Sequence, residues 1–152
     1  MGNELYGDDG VGILAVRQLK EEMRTSTGQQ SRYGHVDFEE CSLSGLSLLE
    51  VMVGYDKLVI IDTIKKENPV PGRIHLLEQD DLRHIPGPSP HYVSVPQTLA
   101  VGKKLGLKVP EKIKIIAVEA KNMYNLGEGL TQDMAASLPS IIKKARKELE
   151  AP

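Results

Sequence analysis

The run Lys57-Leu58-Val59-Ile60-Ile61-Asp62-Thr63 decides the fold. Its apolar residues are consecutive, most are β-branched, and no polar face is left, which is the pattern of a strand covered on both sides in a parallel sheet. The strand terminates in a carboxylate, Asp62, and ligands of open parallel sheets gather at the carboxyl edge of the strands. A second run of this kind, Lys112 to Glu119 (KIKIIAVE), places Ile113, Ile115, Ile116 and Val118 in the core. Arg73 to Glu78 (RIHLLE) is a shorter strand whose Arg and His suit an edge. The turn Asn68-Pro69-Val70-Pro71-Gly72 precedes it, and the link from Asp62 is too short for a helical crossover, so those two strands should be antiparallel. His35 to Cys41 (HVDFEEC) alternates weakly through Val36 and Phe38 and reads as a further strand.

Helical spacing is found at Val11, Leu14, Ala15, Leu19 and Met23, and predicts a helix over 11–24. Further helices are expected over 46–53, over 91–105 with Pro96 in the first turn or marking the true start and Gly106 as its stop, and from Thr131, as N-cap, to Leu149 with a kink or offset at Pro139. Residues 25–33 and 80–90 read as loops. Strands alternating with helices imply an α/β fold, a three-layer α/β/α sandwich with a mostly parallel twisted sheet and one antiparallel strand. The 152 residues form one domain, 1–152.

Composition removes several function classes. With Lys+Arg 19 against Asp+Glu 21 there is no electrostatic case for nucleic acid or an anionic membrane as partner. No apolar run reaches membrane-spanning length, and the amino-terminal residues lack the basic and apolar regions of a signal peptide. The single Cys41 forbids an internal disulfide and reads as structural, so a reducing, cytoplasmic home is expected.

The chemistry points to the opening stretch, Gly2-Asn3-Glu4-Leu5-Tyr6-Gly7-Asp8-Asp9-Gly10-Val11-Gly12. Two adjacent acids stand between glycines just ahead of a helix. Asp8 is a preferred residue for capping the helix, and Asp9 in the first turn is kept ionised by the helix dipole. An ionised carboxylate in a tight loop is a hard metal ligand; that both acids only cap the helix is the competing reading. Asp62 reads either as a ligand at the sheet edge or as a turn acid. Of the histidines, His35 and His75 lie on strands and His84 in a charged loop, whereas His91 opens a helix behind Pro88-Ser89-Pro90, with little freedom. Two carboxylates and one imidazole at one edge would leave coordination positions open and suit zinc, nickel or a similar divalent ion. No Cys-x-x-Cys, His-Glu-x-x-His, Gly-x-Ser-x-Gly or phosphate-loop pattern competes.

On these residues the chain resembles the hydrogenase maturation proteases. The matching pieces are Gly2-Asn3 with Asp8-Asp9-Gly10-Val11-Gly12, the strand Leu58 to Thr63 followed by Pro71-Gly72, a His at 91 opening a helix, and Gly129-Leu130-Thr131 entering the last helix. The resemblance implies an endopeptidase that removes the C-terminal extension of a nickel-iron hydrogenase large-subunit precursor after nickel loading. It implies metal contacts at Asp9, Asp62 and His91, with Asp9 and Asp62 also the catalytic acids. The nickel is supplied by the substrate as its recognition element, and zinc or cadmium can occupy the same site. The hydrogenase large-subunit precursor is the implied partner.

The chain departs from the family pattern in three places. The second acid is Asp where relatives often carry Glu, so the loop must approach the ion more closely. Glu40 to Gly45 lacks the Asp-Gly-Gly-Thr type of turn. The apolar central strand that relatives carry before Gly-Asn has no counterpart before Met1, and losing it would unpair two inner neighbours. The expectation is a natural start further upstream, or another segment or chain in the gap. Two rivals follow: a non-catalytic docking or nickel-checking module for hydrogenase assembly, and a small-molecule hydrolase or phosphate-binding enzyme of similar architecture.

Overall fold

The computed structural model describes residues 1–25, 35–78, 80–81, 94–127 and 129–151. Its elements in chain order are α1 (Val11–Thr25), α2 (Leu48–Met52), β1 (Lys57–Ile64), β2 (Ile74–Glu78), α3 (Ser94–Lys104), β3 (Lys112–Glu119) and α4 (Gln132–Glu150). Short 3-10 turns at Gly7–Gly10 and Gly45–Ser47 lead into α1 and α2. Most of the expected 80–90 loop, with His84, and the first residues of the expected third helix, with His91, lie outside the described residues, as does most of the 25–33 loop.

The sheet has the order β1-β3-β2. β1 runs parallel to β3 with Asp62 opposite Ala117, and β2 runs antiparallel to β3 with His75 opposite Ala117. β1 and β2 are therefore antiparallel, as expected, but they are not neighbours: β3 lies between them. The link between them passes over the carboxyl end of β3, where the Gly72 N–H donates to the Glu119 carbonyl (2.9 Å) and the Glu119 N–H to the Arg73 carbonyl (2.9 Å).

Burial follows from the alternation of side chains along each strand. Ile60, Ile64, Ile113, Ile115 and Ala117 pack on one face with Leu48, Met52, Val95 and Leu99 of α2 and α3. Ile61, Ile116 and Val118 pack on the other with Val11, Ala15 and Leu19 of α1 and Met134, Ile141 and Ala145 of α4. Two helical layers thus enclose the sheet, which is why β1 and β3 carry apolar residues at consecutive positions. Gly12 lets α1 approach β1 closely, since a Cβ there would collide with the Ile61 and Met1 carbonyl oxygens. α4 continues through Pro139, which sits on the exposed side where water can satisfy the carbonyl it frees.

Residues 35–41 are not a strand, contrary to the alternation of Val36 and Phe38. An extended segment becomes a strand only by pairing, and these residues border a groove of about 440 Å3 whose other wall is β1 from Lys57 to Ile61. The edge of β1 facing away from β3 lies along this groove. At its upper end the Met1 amine donates to the Ile61 carbonyl and the Gly2 N–H to the Cys41 carbonyl (3.1 Å). Among the described residues no helix is long and apolar enough to cross a membrane.

Candidate metal-receiving acidic site

The two acids of the opening loop diverge. Both are buried in the 3-10 turn that precedes α1, and neither caps α1 in the way the sequence suggests. Gly7 adopts φ +52, which presses the loop against Asn122; a Cβ there would stand 2.6 Å from the Asn122 carbonyl oxygen. That carbonyl accepts the Asp8 N–H (2.8 Å). The Asp8 carboxylate then accepts the N–H (2.8 Å) and the hydroxyl (2.9 Å) of Thr131, the residue whose own oxygen caps α4 by accepting the Met134 N–H (3.4 Å). Asp8 is spent fastening the first loop to the last helix, which corrects its expected place as cap of the first.

Asp9 turns the other way. Its Oδ1 accepts the Thr63 hydroxyl (2.8 Å) and its Oδ2 the Asn3 N–H (2.8 Å). Asp62, fully buried at the carboxyl end of β1, accepts the Thr63 N–H on Oδ1 (2.9 Å). A single residue therefore joins the two acids, its hydroxyl serving one and its amide the other. The buried Met1 amine lies in the field of the same pair: burial pushes its pKa down, while Asp62, Cys41 and Asp9 pull it up. Thus Asp9 and Asp62, far apart in the chain, are both hydrogen-bonded to Thr63 near the carboxyl end of β1. Each oxygen that accepts one hydrogen bond keeps a second lone pair for a metal.

A second buried acid at this edge shows the opposite arrangement. Glu119, at the end of β3, is only 1% exposed and is met by the Val70 N–H (2.7 Å), His75 Nε2 (2.6 Å) and Lys66 Nζ (3.3 Å). Burial alone would push this carboxyl up, but the Val70 amide, His75 and Lys66 outweigh it and hold the pKa at about 2. Glu119 pins the β1–β2 link over the end of β3.

His91, the third residue of the expected ligand set, lies outside the described residues. Among the described residues no three His, Cys, Asp or Glu side chains form a group able to hold a metal ion. His35 is exposed beside Asp37 (3.2 Å) and His75 is committed to Glu119, so neither joins Asp9 and Asp62. Cys41 is buried and accepts the Leu43 N–H on sulfur (3.4 Å), in keeping with a structural thiol. Sequence reasoning missed Thr63, Asn3, Asn122 and Thr131 as the residues that orient the acids. Their only local signals are that Thr63 follows Asp62 and that Asn3 shares the glycine-rich loop.

Comparison with known proteins agrees with this fold. The chain is 25% identical to the hydrogenase expression/formation protein HupD of Thiocapsa roseopersicina over 98% of its own length, and spans 65% of that protein's length. The hydrogenase maturating endopeptidase HybD from E. coli has a similar fold, with a TM-score of 0.73 and 24% identity over 97% of this chain and 87% of that one. So does the [NiFe] hydrogenase maturation protease HybD from Thermococcus kodakarensis, with a TM-score of 0.71 and 24% identity over 97% and 94%. The family profile described as hydrogenase maturation protease matches residues 14–148, a stretch that includes Asp62 and begins just after Asp9. By that match the chain belongs to the hydrogenase maturation protease family.

Proposed function

We propose that this chain is an endopeptidase that removes the C-terminal extension of a nickel-loaded hydrogenase large-subunit precursor, and that Asp9 and Asp62 receive the nickel the precursor carries. The observation that carries the reading is the convergence of these acids through Thr63 at the carboxyl edge of β1. Family membership supplies the reaction class.

The donor set fits such an ion. Two carboxylates supply anionic oxygens, and an imidazole, assigned to His91 by resemblance, would complete a mixed oxygen and nitrogen set suited to nickel or zinc. The nickel is cargo of the substrate, and its positive charge complements the two acids. Thr63 and Asn3 fix Asp9 in place, so that little reordering is needed when the precursor arrives. The bound ion holds the bond to be cut near the sheet edge, where a carboxylate can act as general base.

The test is incubation with a hydrogenase large-subunit precursor, nickel-loaded and nickel-free, following release of the C-terminal peptide by mass spectrometry. Release from the loaded precursor alone is expected. Binding without release would favour a docking module, and equal release from both forms would remove nickel from the account.

A further inference from the structure

Four of the exposed large apolar side chains gather at one place. Leu5 (62% exposed), Tyr6 (39%), Tyr124 (64%) and Leu126 (70%) stand on two loops that close on each other. Tyr6 forms an antiparallel bridge with Leu126, and the Gly127 N–H donates to the Leu5 carbonyl (2.9 Å). The Lys65 ammonium lies over the Tyr124 ring, 5.5 Å from its centroid. These loops are the ones that build the acidic site. The Asp9 N–H returns to the Tyr6 carbonyl (3.0 Å), and the Asn122 carbonyl accepts the Asp8 N–H. Patch and acids belong to one braced unit.

Their exposure serves no folding purpose. Apolar side chains held out on hydrogen-bonded loops, clustered rather than scattered, mark a surface that is covered in a complex. Tyr and Leu on a rigid frame lose little conformational freedom on contact. Among the described residues, the acids of these loops are occupied elsewhere: Glu4 pairs with Arg17 (2.9 Å) and Asp8 with Thr131.

We infer that Leu5, Tyr6, Tyr124 and Leu126 are the surface on which the precursor protein seats, with an apolar stretch of its polypeptide over these side chains and its metal ion against Asp9 and Asp62. This rests on the proposed function and adds the docking surface to it. Charge complementarity selects the occupant: the acids call for a cation and the adjoining loops for apolar polypeptide, and a metal-bearing protein presents both side by side. A free ion or a polar small molecule presents only the first.

The experiment is a fluorescence-anisotropy titration of labelled, nickel-loaded hydrogenase large-subunit precursor with the full chain and with Leu5→Ser, Tyr124→Ser, Leu126→Ser and Leu105→Ser, with peptide release followed in parallel. Leu105 is as exposed (65%) but stands past the end of α3, at the opposite edge of the sheet, and so controls for general stickiness. Each loop variant is expected to weaken binding roughly tenfold, as loss of a good interface anchor does, while Leu105→Ser binds unchanged. Circular dichroism verifies that these exposed substitutions leave the fold intact. Loop variants that bind like the unchanged chain, a loss shared by Leu105→Ser, or no precursor binding at all would each overturn the docking surface. Binding that depends on the loops but yields no released peptide would overturn the proposed cleavage and leave the surface standing.

Discussion

The carboxyl edge of the sheet holds two buried acidic regions treated in opposite ways. Glu119 is met by the chain's own Lys66, His75 and Val70 amide, so its charge is answered within the fold. Asp9 is hydrogen-bonded by neutral donors, the Thr63 hydroxyl and the Asn3 amide, with the buried Met1 amine in the same field. The difference separates an acid that holds the structure together from acids arranged to take a cation from outside. Buried charges are tolerated when they are paired or hydrogen-bonded, and Glu119 takes the first course, with charged side chains of its own fold.

The contrast is broken most directly by neutralising each acid in turn. Asp62→Asn or Asp9→Asn is expected to abolish processing of nickel-loaded precursor while leaving the fold intact, as circular dichroism would show. Glu119→Gln should do the reverse. It leaves Lys66 and His75 facing a neutral amide and should lower stability by about 3 kcal/mol in urea titration, the low end for breaking a buried pair. The same group sets a pH dependence. Because its folded pKa is held at about 2, below that of the unfolded chain, its stabilisation is present above roughly pH 4.5 and is lost as pH falls through about 2. Acid titration of Glu119→Gln should show a correspondingly shallower loss of stability in that window.

Smaller changes sharpen the comparison. Thr63→Val removes the hydroxyl from Asp9 but keeps the amide to Asp62; processing should fall roughly 10–100-fold, the range for losing a residue that orients a metal ligand. Thr131→Ala withdraws the α4 cap and one partner of Asp8, and should cost about 1 kcal/mol of stability, read as a shift in thermal midpoint.

How much of this is legible in the sequence depends on how local each cause is. The unbroken apolar run at Leu58 to Ile61 announces a strand buried on both faces, because alternation disappears only when both faces are covered. Asp62 at its end is visible for the same reason. The placement of β3 between β1 and β2 is not, since the short link fixes relative direction but not the number of strands it steps across. The segment 35–41 misleads because Val36 and Phe38 supply the alternation without a pairing partner. Asp8 and Asp9 are told apart in the sequence only by position and resemblance, which give Asp8 a helix cap that it does not form. What separates them are contacts to Thr131 and Thr63, 123 and 54 residues away along the chain, and such contacts leave no periodic trace.

The central claim, that Asp9 and Asp62 receive one ion between them, is tested most directly by anomalous diffraction from crystals soaked in nickel or cadmium salt. The account predicts a single strong peak in contact with a carboxylate oxygen of each residue, absent from crystals of Asp62→Asn. A peak seated at Glu119 and His75, or one at the acidic pair that survives Asp62→Asn unchanged, would contradict it.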